Sequence, residues 1–63
     1  MINGYGNKIA WTVRIPELRI DIQSESSQFI NNFMRKTQHL NATIQLWESI
    51  DGDRPTCIFT QEA

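Results

Sequence analysis

Charge of one sign is what this chain lacks most: six Lys and Arg stand against seven Asp and Glu, for a formal charge of −1. That balance removes the usual electrostatic footprint of a general nucleic-acid binder, a strongly basic domain, and leaves room only for a local basic patch. Cysteine and histidine occur once each. No intramolecular disulfide can form, and four Cys or His ligands for a structural zinc cannot be assembled. Stability must come from packing or from a partner. No run approaches the roughly 18 consecutive apolar residues of a membrane span, and Met1-Ile2-Asn3-Gly4-Tyr5-Gly6-Asn7 has no signal-peptide core. The expected location is therefore a reducing cytoplasm, with no membrane partner. Asn41-Ala42-Thr43 matches a glycosylation sequon, but so short a pattern recurs by chance.

What is present suffices for one small core. A 63-residue chain buries only about 60% of its unfolded surface, which cannot be divided between two domains. Leu, Ile, Val and Phe number 16 of 63, above the roughly 20% below which a charged chain stays disordered. Segment 1–7 and the tail 62–63 are expected to be loose, with a single domain over 8–61.

Alternation sets the strands. Ile9, Trp11, Val13 and Ile15 share one face, with Ala10, Thr12 and Arg14 on the other. Leu18, Ile20 and Ile22 continue the pattern, but its parity switches across Pro16-Glu17. A tight turn there would pair Ile15 with Leu18, Val13 with Ile20 and Arg14 with Arg19. Proline cannot take the positive φ of the favoured two-residue hairpin turns, so a longer loop or one bulged strand is the alternative. Ser24-Glu25-Ser26-Ser27 supplies N-cap residues, and Phe29, Ile30, Phe33 and Met34 then recur at helical spacing. The spacing predicts a helix over Glu25–Gln38 with Arg35, Lys36 and His39 near its C-terminal end, where the dipole favours cations. The last third reads as a second hairpin: Ala42–Ile50, an Asp51-Gly52-Asp53-Arg54 turn, and Pro55–Gln61.

The order is ββαββ: a two-layer α+β fold, with a mainly antiparallel four-stranded sheet and one helix on one face. Hairpin-helix-hairpin order resembles that of β-grasp domains such as the small immunoglobulin-binding modules. The resemblance is one of architecture only. No motif matches a family, and Gln61-Glu62-Ala63 lacks the Gly-Gly by which ubiquitin-like and sulfur-carrier members act.

The inventory for catalysis is thin. In alternation Cys57 falls with Ile44, Leu46 and Phe59, which makes it a core thiol, and thiols in apolar surroundings are inert. His39 reads as a solvated or capping residue at a helix end. Asp51-Gly52-Asp53 lacks the remaining oxygen ligands of a calcium loop, and Gly4-Tyr5-Gly6 the strand and glycines of a phosphate loop. Nucleophile, base and orienting group cannot be assembled. The chain reads as a non-enzyme with no cofactor and no metal.

The sheet face away from the helix is more informative. Both registers considered for the second hairpin put Trp47 and Ile58 there, with Thr56, Gln45, Thr12, Arg14 and Arg19. Trp and Arg are the residue types enriched at binding hot spots. A plainer reading has Trp47 half covered by its neighbours or by Tyr5. The expected function is a small protein-binding module, an inhibitor or adaptor of the size that phages and mobile elements encode. Trp47, Ile58, Arg14, Arg19 and Gln45 are its contact residues, and a second copy could pair through the same face or a strand edge, edges that Pro55 and Lys8 partly protect. The rival is a β-sheet nucleic-acid binder in which Arg14 and Arg19 touch phosphate and Trp47 stacks on a base.

Overall fold

The structure, a computed structural model, describes residues 8–63. Segment 1–7, Tyr5 included, lies outside the described residues. The elements are β1 (Ile9–Ile15), a 3-10 turn (Pro16–Leu18), β2 (Ile20–Ser24), α1 (Ser27–Thr37), β3 (Ile44–Ile50) and β4 (Thr56–Gln61). They form one four-stranded sheet, antiparallel at every pairing, in the order β2-β1-β3-β4. The α+β fold expected from the pattern is the one observed.

The first hairpin closes through the longer loop. Pro16 opens a 3-10 turn with its fixed φ, and Arg19, at φ 55°, ends it in the left-handed region. Ile15 therefore pairs with Ile20, Val13 with Ile22 and Arg14 with Asp21. This corrects the tight-turn register by two residues. A shift of two keeps the paired side chains of β1 and β2 on their expected faces, because the strand period is two, but it moves Leu18 and Arg19 out of the strand into the loop, where Leu18 is exposed. It also replaces the Arg14–Arg19 pair by an ion pair, Arg14 Nε to Asp21 Oδ2 at 3.3 Å.

Glu17, at the crown of that loop, reaches across to the start of the second hairpin. Its carboxylate accepts the Thr43 backbone N–H at 3.0 Å and the Thr43 hydroxyl at 2.7 Å. The hydroxyl, helped by backbone N–H groups, holds the Glu17 carboxyl below its ordinary value of 4.5. A depressed folded-state value contributes stability that is complete above the unfolded value and is lost as pH falls through the folded one. Glu17→Gln should accordingly melt below the wild type at pH 7, with the gap closing below about pH 4.5. Thermal melts at pH 7, 4 and 3 check this; a gap that widens in acid would rule it out.

The helix begins where its cap allows. The Ser26 side chain accepts the Phe29 N–H at 3.2 Å, while its own N–H donates to the Ser24 hydroxyl. At the far end the buried Thr37 donates its hydroxyl to the Phe33 carbonyl at 2.9 Å. Helix α1 packs chiefly over β1 and β2. Below it lies the buried core of Val13, Ile15, Ile30, Ala42 and Ile44, flanked by Trp11, Ile20, Phe33, Met34 and Leu46. Phe29, placed in the core by its spacing, is 46% exposed and stacks on Phe33, centroids 6.3 Å apart.

In the second hairpin Asp51 and Gly52 take positive φ, 55° and 77°, and the Asp53 N–H donates to the Ile50 carbonyl at 2.9 Å. This is the Asp-Gly turn the sequence announces. Pairing nevertheless starts only at Glu48 and Thr56. Pro55 has no N–H to give the ladder, so residues between the turn and β4 stay outside it. A second irregularity follows: Trp47 pairs with Cys57 but Leu46 with Phe59, which leaves Ile58 as the extra residue of a β-bulge. Asp51 also fastens β1, since its N–H donates to the Lys8 carbonyl and its Oδ1 accepts the Lys8 N–H at 2.7 Å. Lys8 thus leads into a central strand and guards no edge; β2 and β4 are the edges.

Candidate functional site

The bulge decides what shares a face with Trp47. Cys57, paired with Trp47, projects from the open face, 3.3 Å from the Thr60 hydroxyl and within hydrogen-bond distance of the Phe59 carbonyl. The core placement of this thiol is thereby corrected: Cys57 is exposed and free. Its two polar contacts, the Thr60 hydroxyl and the Phe59 carbonyl, are not bases that could take its proton. Thr56, opposite Glu48, moves to the helix side, because Glu48 accepts the Trp11 indole N–H at 3.2 Å and Trp11 packs on the core. Ile58 leaves the Trp47 face as well. It is 49% exposed and lines a groove with Met34 and Leu46 on the helix side. The physical reason is the same for all three residues: one extra residue in a strand reverses the facing of everything on one side of it.

The remaining expected contacts do converge. Trp47 is half-buried, and its indole N–H donates to Gln45 Oε1 at 3.3 Å, which orients the ring along its own strand on the open face. Around it Thr12, Arg14, Asp21, Arg54 and Pro55 enclose a concavity of about 470 Å³. Arg14 also borders a neighbouring depression with Arg19, Gln45 and Pro16. Trp47, Arg14, Arg19 and Gln45 therefore form one continuous surface, with Arg19 at its margin on the loop.

Arg54 and Pro55 were missed as site residues, since the sequence marks them only as turn. A signal was available: a proline ahead of a strand keeps the preceding chain out of the ladder, and that displaced chain is what stands beside Trp47. Charges in the concavity are Arg14, Arg54 and Asp21, a local excess of one positive, with Arg14 already engaged by Asp21. Chemically the site is an aromatic ring framed by a guanidinium, a pyrrolidine ring and an ion pair. It can bury an apolar side chain against Trp47 and Pro55 while Arg54 hydrogen-bonds a carboxylate or carbonyl beside it.

Among the described residues no group of three or more His, Cys, Asp or Glu lies close enough together to hold a metal ion. No described helix is long and apolar enough to cross a membrane. Neither a family model, nor a curated protein, nor a solved structure matches this chain.

Proposed function

We propose that this chain is a small, non-enzymatic protein-binding module, an inhibitor or adaptor that takes a larger protein partner on the Trp47 face. The carrying observation is the concavity itself: an oriented tryptophan with two arginines and a proline, on a face the helix leaves bare. Interfaces concentrate their binding energy in such aromatic and arginine anchors, ringed by residues that exclude water. The sheet supplies Trp47 and Arg14 already placed, the first bonded to Gln45 and the second to Asp21, which limits the entropy lost on binding. The reading places the module in a reducing cytoplasm, where its single exposed thiol stays unpaired.

The test is partner capture from the native cell lysate on the immobilised domain, followed by titration of the captured protein. Trp47→Ala and Arg54→Ala should each weaken binding by about 30-fold or more, the scale of a hot-spot residue. Ile58→Ala, on the other side of the sheet, should leave it within about 3-fold. Capture that survives Trp47→Ala would remove the reading. The nucleic-acid rival is addressed in the same material: binding to short single-stranded DNA or RNA that falls steeply with salt, and that Trp47→Ala abolishes, would replace the protein partner by a nucleic acid.

A further inference from the structure

Helix α1 packs chiefly over β1 and β2 and reaches Ile44 at the start of β3, and among the described residues nothing covers Ile58 and Phe59 on the β4 side of the inner sheet face. Leu46, Ile58 and Phe59 line a groove there whose far wall is the helix flank, Met34 with Asn31 and Gln38. None of the groove's lining residues is charged. Ile58 and Phe59 are 49% and 46% exposed, in a chain with too few large apolar residues to leave them idle.

We infer that this groove is the interface of a homodimer, in which a second copy of the chain packs groove to groove about a two-fold axis. Three observations select a second copy. The first is charge. A two-fold interface sets each patch against itself, so any charge near the axis would meet its own kind; an uncharged patch on a chain of net charge −1 avoids this. The second is dimension. Two strands span about 10 Å, and stacked sheets lie about 10 Å apart, close to one helix diameter. The partner's β3–β4 half therefore fits beside α1 over Ile58 and Phe59, at the same height above the sheet. The third is hydrogen bonding. In that arrangement the free edge of the partner's β4 comes against the flank carrying Asn31 and Gln38, whose amides both donate and accept, as unpaired strand groups require.

Direct edge-to-edge pairing of two β4 strands is the competing geometry. The bulge at Ile58 opposes it, because a bulge bends and twists an edge away from straight strand addition. The same bulge brings Ile58 to the groove side beside Phe59. The footprint, about 20 Å of strand by about 20 Å of half-sheet and helix flank on each copy, buries about 800 Å² in all, the size of a weak, transient contact, so dissociation in the high-micromolar range is expected.

This inference is independent of the Trp47 reading, since the two surfaces lie on opposite sides of the sheet. Sedimentation equilibrium from about 5 to 500 μM should show wild-type mass rising from one chain toward two, a range that reaches high-micromolar dissociation. Ile58→Lys should weaken the dimer by 10-fold or more, while Thr60→Lys, on the open face of the same strand, should leave it intact. Amide shifts of the wild type that vary with concentration should concentrate at Met34, Gln38, Leu46 and Phe59, a readout that does not depend on a variant folding. A chain that stays monomeric at 500 μM overturns the inference. So do shifts that gather around Trp47, or loss of the dimer with Thr60→Lys but not with Ile58→Lys, which would mean edge pairing.

Discussion

Ile15→Ala should leave this protein largely unfolded at 37 °C. Ile15 is fully buried, closes β1 against Ile20, and is one of five residues that make up the buried core among those described. Truncating a buried isoleucine to alanine costs about 2–5 kcal/mol, the upper part of that range where neighbours cannot collapse into the cavity. Here they are held on two sides, by the β1–β2 ladder and by Ile30 from the helix. A single core in a domain of this size rarely supplies more than about 3–5 kcal/mol in all. The two figures are of the same order, so the substitution consumes most of the margin. Ile15→Val, which removes one methyl, costs about 0.5–1.5 kcal/mol and should lower the midpoint by several degrees while keeping a cooperative transition. Circular dichroism melts decide the matter: a fall of less than about 10 °C for Ile15→Ala, some two kcal/mol on a domain this small, would mean the core is not the main source of stability.

The two tryptophans should part company in the same measurement. Trp11 and Trp47 sit on central strands, Trp11 opposite Glu48 and Trp47 opposite Thr12, but they face opposite sides of the sheet. Trp11 packs on the core and donates its indole N–H to Glu48 across 37 residues of chain. Trp47 donates within its own strand, to Gln45, and lies over the open concavity. Trp11→Ala thus removes apolar packing and strands a half-buried carboxylate, for a loss of about 2–3 kcal/mol, somewhat below a fully buried tryptophan. Trp47→Ala exposes the polar stems of its neighbours to water they can use, and should cost under about 1 kcal/mol. Urea denaturation of both variants would expose an error at once: comparable losses would put Trp47 in the fold's support and take away its role as a spare aromatic.

The faces of this sheet were legible because facing depends only on parity. The first hairpin shows how forgiving that is. Its loop has four residues where a two-residue turn was read, yet Trp11, Val13 and Ile15 still face the helix, and only their partners changed. The second hairpin shows the limit. The delayed start of pairing at Pro55 and the bulge at Ile58 are each one-residue slips, so they cancel from Phe59 onward, where the expected inner facing holds. Between the slips lie Thr56 and Cys57, and these two, with Ile58 at the bulge itself, take the face opposite to the expected one. A bulge has no local composition signal in Cys57-Ile58-Phe59; it arises from fitting β4 to β3 after the turn has set a different register. The helix was plain from the Ser26 cap and the Phe29 to Met34 spacing. Its packing chiefly over β1 and β2 was not, because no residue pattern states how far a helix lies from a strand.

The central ladder of β1 with β3 has a consequence for how the chain reaches this state. Each hairpin closes locally, but the pairing that joins them links Trp11 to Glu48, and the Asp51–Lys8 bonds at its end span 43 residues. Closing so long a loop costs entropy before the contacts inside it give anything back. The helix lies within that loop, and docking it on β1 and β2 shortens the distance left to close. The two hairpins are therefore expected to form early and reversibly, with the zipping of β1 onto β3 as the slow step that commits the molecule. Its rate should respond more to the middle of the sheet than to either turn.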